Sequence, residues 1–200
     1  VAPIGVPPEA ETHIGPGDVY LTTKPRLPET HKGDYGRVLV IGGSEDFHGA
    51  PVLSAMAAMR TGVDLVYVAV PEVVAHEVAS VSPSLIVVKL KGSSLSAQNL
   101  KALEKWLAKS SAVVLGPGLG LNSETKEAIE ELVEAVETRS MPLLLDADGL
   151  KAFSSFKRQL RCPLVLTPHA GEYEILTGEK LPKSVENRAR HVMNLSLIHI

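Results

Sequence analysis

From Arg37 onward, short runs of Val, Leu and Ile alternate with longer amphipathic stretches. The runs lie at Arg37–Ile41, Leu65–Val70, Leu85–Lys89, Ala112–Leu115, Pro142–Asp146 and Pro163–Thr167, and most are nearly continuous in hydrophobicity. Strands of that kind are buried on both faces, and their alternation with helices builds a parallel sheet with helical layers against it. The expected fold class is therefore α/β, a mostly parallel sheet covered by helices on both faces. Between the runs, Leu100, Leu103 and Leu107 share one helical face. Ile129, Leu132, Val133 and Val136 reproduce the i, i+3, i+4, i+7 stripe, with Glu127, Glu130 and Glu131 elsewhere. Residues 50–59 set Ala55, Ala57 and Ala58 among Val52, Leu53 and Met56, which predicts a small-residue helix lying deep against the sheet.

Composition narrows the function classes. The chain has 200 residues, 44% hydrophobic and 22% charged, which fits one domain with flanking segments and excludes disorder and collagen. Aromatic residues make up only 4%, so the core is aliphatic and base-stacking platforms are not expected. Lys and Arg total 20 against 23 Asp and Glu, and no basic cluster stands out, so nucleic acid is not an expected partner. No apolar run approaches the roughly 20 residues that cross a bilayer, and the N-terminus lacks the charged and apolar regions of a secretory signal. These features lead us to expect a cytoplasmic protein. Cys162, the single cysteine, has no internal disulfide partner, and the six histidines other than His169 show no metal-ligand spacing, so no zinc and no protein-held metal site is expected from them. Residues 1–36 carry Pro3, Pro7, Pro8, Pro16, Pro25 and Pro28 without helical or alternating period, and read as a linker or severed end.

In open α/β sheets ligands bind outside the carboxyl ends of the strands, and four loops there carry chemistry. In VLVIGGSEDFHGAP a strand opens into Gly42, Gly43 and Ser44 before Gly49, Ala50 and Pro51 start a helix. Glycines admit close backbone approach, and a helix start favours anions; a tight turn alone would account for the same residues. The spacing is not that of a Walker loop. VVLGPGLGLNSET sets Gly116, Pro117, Gly118 and Gly120 ahead of an Asn122/Ser123 helix cap, but Leu121 stands where a dinucleotide fingerprint needs glycine. In LLLDADGLKAF, Asp146 and Asp148 alternate so as to share one side of an extended chain, suited to a magnesium ion or a ligand hydroxyl; Asp148 could equally cap a helix. LVLTPHAGEYEIL places Thr167, Pro168, His169, Gly171 and Glu172 past the last run, with His169 either a ligand contact or a polar loop residue. No G-x-S-x-G elbow is present, which argues against acyl transfer.

Taken in order, HKGDYGRVLVIGGS with GAP, GPGLG, LLLDADGL and LTPHAGE resemble the dehydratase domain of the NAD(P)H-hydrate repair enzymes, a ribokinase-like branch, from about Pro25 to Met193. The resemblance implies nucleotide-dependent dehydration of the S epimer of hydrated NADH or NADPH. ADP, or ATP, would be the co-substrate, with Mg2+ alongside. It implies that Ala50, Gly118 and His169 contact the damaged dinucleotide, with Gly43, Gly49, Gly116, Gly120 and Asp148 about the same crevice. The front segment resembles the close of an epimerase domain, so residues 1–24 are expected to be that end and a linker. Residues 25–200 are then an incomplete dehydratase domain lacking its C-terminal part. The family's catalytic aspartate, in a Gly-Thr-Gly-Asp segment, has no counterpart in this sequence. The expectation is that the chain alone is inactive, that no catalytic residue lies within it, and that Leu195, Leu197, Ile198 and Ile200 in NLSLIHI could begin a strand. Homo-oligomerisation stays open. The competing readings are a ribokinase-like small-molecule kinase and a non-catalytic nucleotide-binding fragment.

Overall fold

The computed structural model describes residues 13–22, 25–156 and 158–199. The chain divides into two compact units, one up to Asp34 and one from Tyr35 onward. In the first, α1 (Pro16–Thr22) interrupts the stretch read as lacking helix. Its start is stitched by the Gly15 N–H, which donates to the Asp18 carboxylate at 2.7 Å. An Asp at that position serves as a local helix start signal in spite of the surrounding prolines.

The second unit holds a six-stranded sheet in the order β3-β2-β1-β4-β5-β6, parallel at every pairing. The strands are β1 (Arg37–Ile41), β2 (Leu65–Pro71), β3 (Ile86–Leu90), β4 (Ala112–Leu115), β5 (Leu143–Leu145) and β6 (Leu164–Leu166). All six apolar runs are strands, within a residue or two of the expected bounds. The helices are α2 (Gly49–Arg60), α3 (Ala75–Val81), α4 (Leu100–Leu107), α5 (Ser123–Thr138), α6 (Ala147–Phe156), α7 (Ala170–Thr177) and α8 (Val185–His199).

Side-chain alternation sorts the strands between two cores. Leu39, Ile41, Tyr67, Ala69, Val113, Leu115, Leu143 and Leu145 face one side. There they meet Leu103 and Leu107 of α4, Ile129, Leu132, Val133 and Val136 of α5, and Leu150 and Phe153 of α6, as the helical stripes predict. Val40, Val66, Val68 and Val70 face the other side against Val52 and Ala55 of α2 and Ala75 and Val78 of α3. Both faces carry helices, but the second is covered only over β1–β3. Along the row Val40, Val114, Leu144, Val165, which are neighbours in register, exposure climbs from 0% at Val40 to 55% at Val165. The uncovered part is a shallow apolar groove of about 580 Å³ beside Ala57, Ala58 and Thr61.

Two expectations are corrected here. The helix α2 is not deep: only Pro51, Val52 and Ala55 are buried, and Leu53 is 75% exposed. Its alanines line the open groove instead of permitting burial on all sides. The segment read as a possible strand, from Leu195, is the end of α8, whose start is fixed by Ser184: its hydroxyl accepts from the Asn187 N–H at 3.3 Å and its carbonyl from the Arg188 N–H at 3.0 Å. Helix formers Glu186, Arg188, Ala189 and Arg190 then carry the helix through the apolar end, and Leu195 packs on the first core. Ile200 lies outside the described residues.

Candidate functional site

Strand order reverses between β1 and β4: the chain works outward one way through β2 and β3, then the other way through β5 and β6. Neighbouring strands whose connections run to opposite sides leave a crevice at their carboxyl ends, and ligands in such sheets bind there. The loops that wall it are Gly42–Gly43 after β1 and Gly116–Gly120 after β4. They are tied together by backbone: the Gly43 N–H donates to the Pro117 carbonyl at 2.8 Å, and the Gly116 N–H to the Ile41 carbonyl at 3.1 Å.

Two positions in the second loop can be nothing but glycine. Gly116 has φ +129°, and a β-carbon there would collide with the Asp146 carbonyl and stand 2.6 Å from the Gly149 nitrogen. Gly118 has φ +69°, and a β-carbon would come within 2.5 Å of the Phe47 carbonyl oxygen and 3.5 Å of the Ala50 methyl. The absence of a side chain at Gly118 thus leaves room for Phe47 and Ala50 beside the second loop. The helix α2 begins at Gly49, after His48, and no side chain caps it. A helix start of this kind turns its first N–H groups and positive dipole end toward whatever lies before it.

The expectation that Asp146 and Asp148 share one side is corrected. The strand ends at Leu145, and Ala147, at φ +49°, turns the chain through the left-handed region into α6. The two carboxylates therefore diverge. Asp146 Oδ1 accepts from the Thr167 hydroxyl at 2.8 Å. Asp148 Oδ2 accepts from the Gly120 N–H at 3.0 Å, while its Oδ1 meets Lys151 Nζ at 2.9 Å. Asp148 is thus neither the helix cap nor half of a carboxylate pair; it links Gly120 of the second glycine loop to α6. Among the described residues no group of three or more His, Cys, Asp or Glu converges on a cation position.

His169 caps α7. Its Nδ1 accepts from the backbone N–H groups of Gly171 at 3.1 Å and Glu172 at 3.2 Å. Glu172 completes a capping box, its Oε2 accepting from the His169 N–H at 3.1 Å. The loop alternative is thereby refined: the ring has a fixed local role, yet the side chain stays 70% exposed. Lys151 and Glu172 are the members of this cluster to which the sequence reading gave no role. The H-x-x-E spacing of a capping box was a readable signal for Glu172, and the i, i+3 spacing from Asp148 for Lys151. Of the expected site residues, Ala50, Gly43, Gly116 and Gly118 meet in one crevice wall. Gly120 and Asp148 join it by a hydrogen bond, and Gly49 stands open to solvent at the start of α2.

Comparison with known proteins matches residues 38–196 to the NAD(P)H-hydrate dehydratase family. The chain is 43% identical over 188 residues to a bifunctional NAD(P)H-hydrate repair enzyme of Pyrobaculum aerophilum, covering 94% of this chain and 37% of that protein. It is 36% identical over 189 residues to an ADP-dependent (S)-NAD(P)H-hydrate dehydratase of Cenarchaeum symbiosum, covering 93% of this chain and 64% of the relative. Among solved structures, it superposes with TM-score 0.71 and 28% identity on the ADP/ATP-dependent NAD(P)H-hydrate dehydratase of Bacillus subtilis co-crystallized with ATP/Mg2+, over 92% of this chain and 62% of that one. The chain thus spans under two thirds of the length of these proteins. The fold is ribokinase-like.

Proposed function

The chain belongs to the NAD(P)H-hydrate dehydratase family, and on that premise we propose that it serves nucleotide-dependent dehydration of the S epimer of hydrated NADH or NADPH. The observation that carries the reading is the glycine-walled crevice where the strand order reverses, its two loops tied by the Gly43–Pro117 and Gly116–Ile41 hydrogen bonds. A flat, side-chain-free wall suits a dinucleotide, whose rings and phosphates need close backbone approach. The uncapped start of α2 offers a complement to phosphate charge at the Gly49–Ala50 end. His169 stands past the end of β6, two strands from β4, with an exposed ring that a ligand can pack against.

The chemistry follows from leaving-group quality. Water leaves carbon poorly and phosphate leaves well. In the proposed sequence the terminal phosphoryl group of ADP passes to the ring hydroxyl of the hydrate, leaving AMP. The C–O bond then breaks with departure of inorganic phosphate, while a proton lost from the neighbouring ring carbon restores the double bond of the reduced nicotinamide. The part of this chain in that sequence is binding and orientation of the dinucleotide. ADP as the co-substrate is supported by the named activity of the Cenarchaeum relative, and ATP as a substitute by that of the Bacillus protein. The separate directions of Asp146 and Asp148 do not fit a magnesium cage, so magnesium is assigned to the nucleotide phosphates and not to these carboxylates.

We further propose that residues 25–200 belong to the dehydratase domain and residues 1–24 to the close of an epimerase domain with its linker, which the bifunctional Pyrobaculum relative supports. A cytoplasmic place suits repair of a soluble dinucleotide, and among the described residues no helix is long and apolar enough to cross a membrane. Product analysis tests the reaction. Incubation with ADP and the S hydrate should give free phosphate together with the absorbance of reduced nicotinamide. A phosphorylated alcohol that accumulates without that absorbance would establish a kinase instead.

A further inference from the structure

Glu172 is 4% exposed, and both of its oxygens are engaged. Oε2 accepts from the His169 backbone N–H at 3.1 Å, while Oε1 lies 3.2 Å from His169 Nε2 and 3.9 Å from Lys151 Nζ. Lys151 in turn holds Asp148 at 2.9 Å, and Asp148 accepts from the Gly120 N–H at 3.0 Å. A continuous polar chain therefore runs from the glycine loop after β4, through the first turn of α6, to the ring at the start of α7. A buried carboxylate is retained only with compensating partners, and here those partners are His169 at the start of α7 and Lys151 of α6.

We propose that Glu172 is a positioning residue for His169, and that Lys151 and Asp148 couple that ring to the Gly116–Gly120 loop. The ring cannot turn over without cost. Its Nδ1 already accepts two backbone N–H groups, so the neutral ring carries its proton on Nε2, the nitrogen beside Oε1 of Glu172. Rotation about the terminal torsion would set Nδ1 away from both donors and leave the first turn of α7 uncapped. The Glu172 carboxylate thus fixes both the rotamer and the tautomer by holding the Nε2–H, and the exposed ring meets a ligand through its carbon edge. Lys151 sits between two carboxylates, so the glycine loop that carries Gly120 is linked to Glu172 through Asp148 and Lys151. This inference rests on the dinucleotide-binding reading for its ligand, and on geometry alone for the effect on His169.

The test uses the full chain labelled with 15N-histidine, with the His169 signals identified by their loss in His169→Gln. In the unsubstituted protein the ring nitrogens should report a protonated Nε2 and an unprotonated, hydrogen-bonded Nδ1. Glu172→Gln keeps the size and the capping acceptor but places an amide where the charge was, and should shift the His169 ring nitrogens toward a mixture of tautomers. Lys151→Met should shift them in the same direction by less. His169 signals unchanged in Glu172→Gln, with the protein folded, would overturn the proposal. Should that variant fail to fold, Lys151→Met decides by the same readout. In parallel, NADPH hydrate is titrated into each protein. Glu172→Gln should weaken binding several-fold, about threefold or more, because the ring loses its fixed orientation, and should have no added effect in a His169→Gln background. An equal loss in both backgrounds would mean that Glu172 acts independently of His169, and would also overturn the proposal. If the unsubstituted protein binds no dinucleotide, the function reading falls, and the histidine spectra still decide whether Glu172 positions the ring.

Discussion

Gly116→Ala and Gly120→Ala form a matched pair from which the wall of the crevice can be weighed. Both glycines have positive φ, +129° and +78°, so each alanine is forced into backbone that L-residues avoid. That alone costs about 1–3 kcal/mol at Gly116 and about 1–2 kcal/mol at Gly120. The surroundings differ. A methyl at Gly120 meets nothing within 4 Å, whereas one at Gly116 strikes the Asp146 carbonyl and the backbone of Gly149. Both obstacles are main chain, so relief requires the start of α6 to withdraw from β4, loosening the fully buried Leu150 and Ala152. Overpacking of that kind adds about 1–3 kcal/mol. The expected totals are about 2–6 kcal/mol for Gly116→Ala and about 1–2 kcal/mol for Gly120→Ala, against a whole-domain stability of about 5–15 kcal/mol. Urea unfolding followed by far-ultraviolet circular dichroism reads both. Coincident midpoints for the two variants would refute the argument that the β4 loop is packed backbone to backbone against α6.

Further expectations follow from individual residues. Ala147→Gly removes the left-handed strain at φ +49° and should leave the urea midpoint level or higher; a fall equivalent to more than about 1 kcal/mol would show that the position is unstrained. Burial pushes the Cys162 thiol up, so its proton is held in the folded protein. The stability it contributes is present below the pKa of the unfolded thiol and is lost as pH rises through the folded value. Cys162→Ala should therefore flatten the alkaline loss of stability, and an identical pH dependence would contradict this. Val165→Lys, on the uncovered sheet face, should cost less than about 0.5 kcal/mol and lower the fluorescence of an apolar dye bound there; undiminished fluorescence would show that the groove is not the dye site.

The sheet was legible because its strands are written as unbroken aliphatic runs such as Leu143–Leu145, although only β1 and β2 have both faces largely buried and the expected two-sided burial fails toward β6. The amphipathic stripes of α4 and α5 were equally plain. The depth of α2 was not, because small residues such as Ala57 and Ala58 satisfy both a close helix–sheet contact and a shallow open groove; only the exposed Leu53 separates the two. The glycine loops could be read as turns near strand ends, but their mutual contact through Gly43 and Pro117 depends on the reversal of strand order, a tertiary fact. The divergence of Asp146 and Asp148 turns on the positive φ of Ala147, which nothing in an Asp-Ala-Asp triplet announces. Glu172 went unread because a histidine, not the usual Ser, Thr, Asp or Asn, opens its capping box, and its second role beside Lys151 required the packing of α6 on α7.

The account stands on the crevice between β1 and β4 as the seat of the hydrated dinucleotide. Calorimetric titration of the S epimer of NADPH hydrate into this protein and into Gly118→Ala tests that most directly, because the added methyl falls between Phe47 and Ala50 at the crevice wall. The account predicts saturable binding by the unsubstituted protein and at least about tenfold weaker binding by a folded Gly118→Ala. Equal affinity in the two proteins would place the ligand elsewhere and contradict the account.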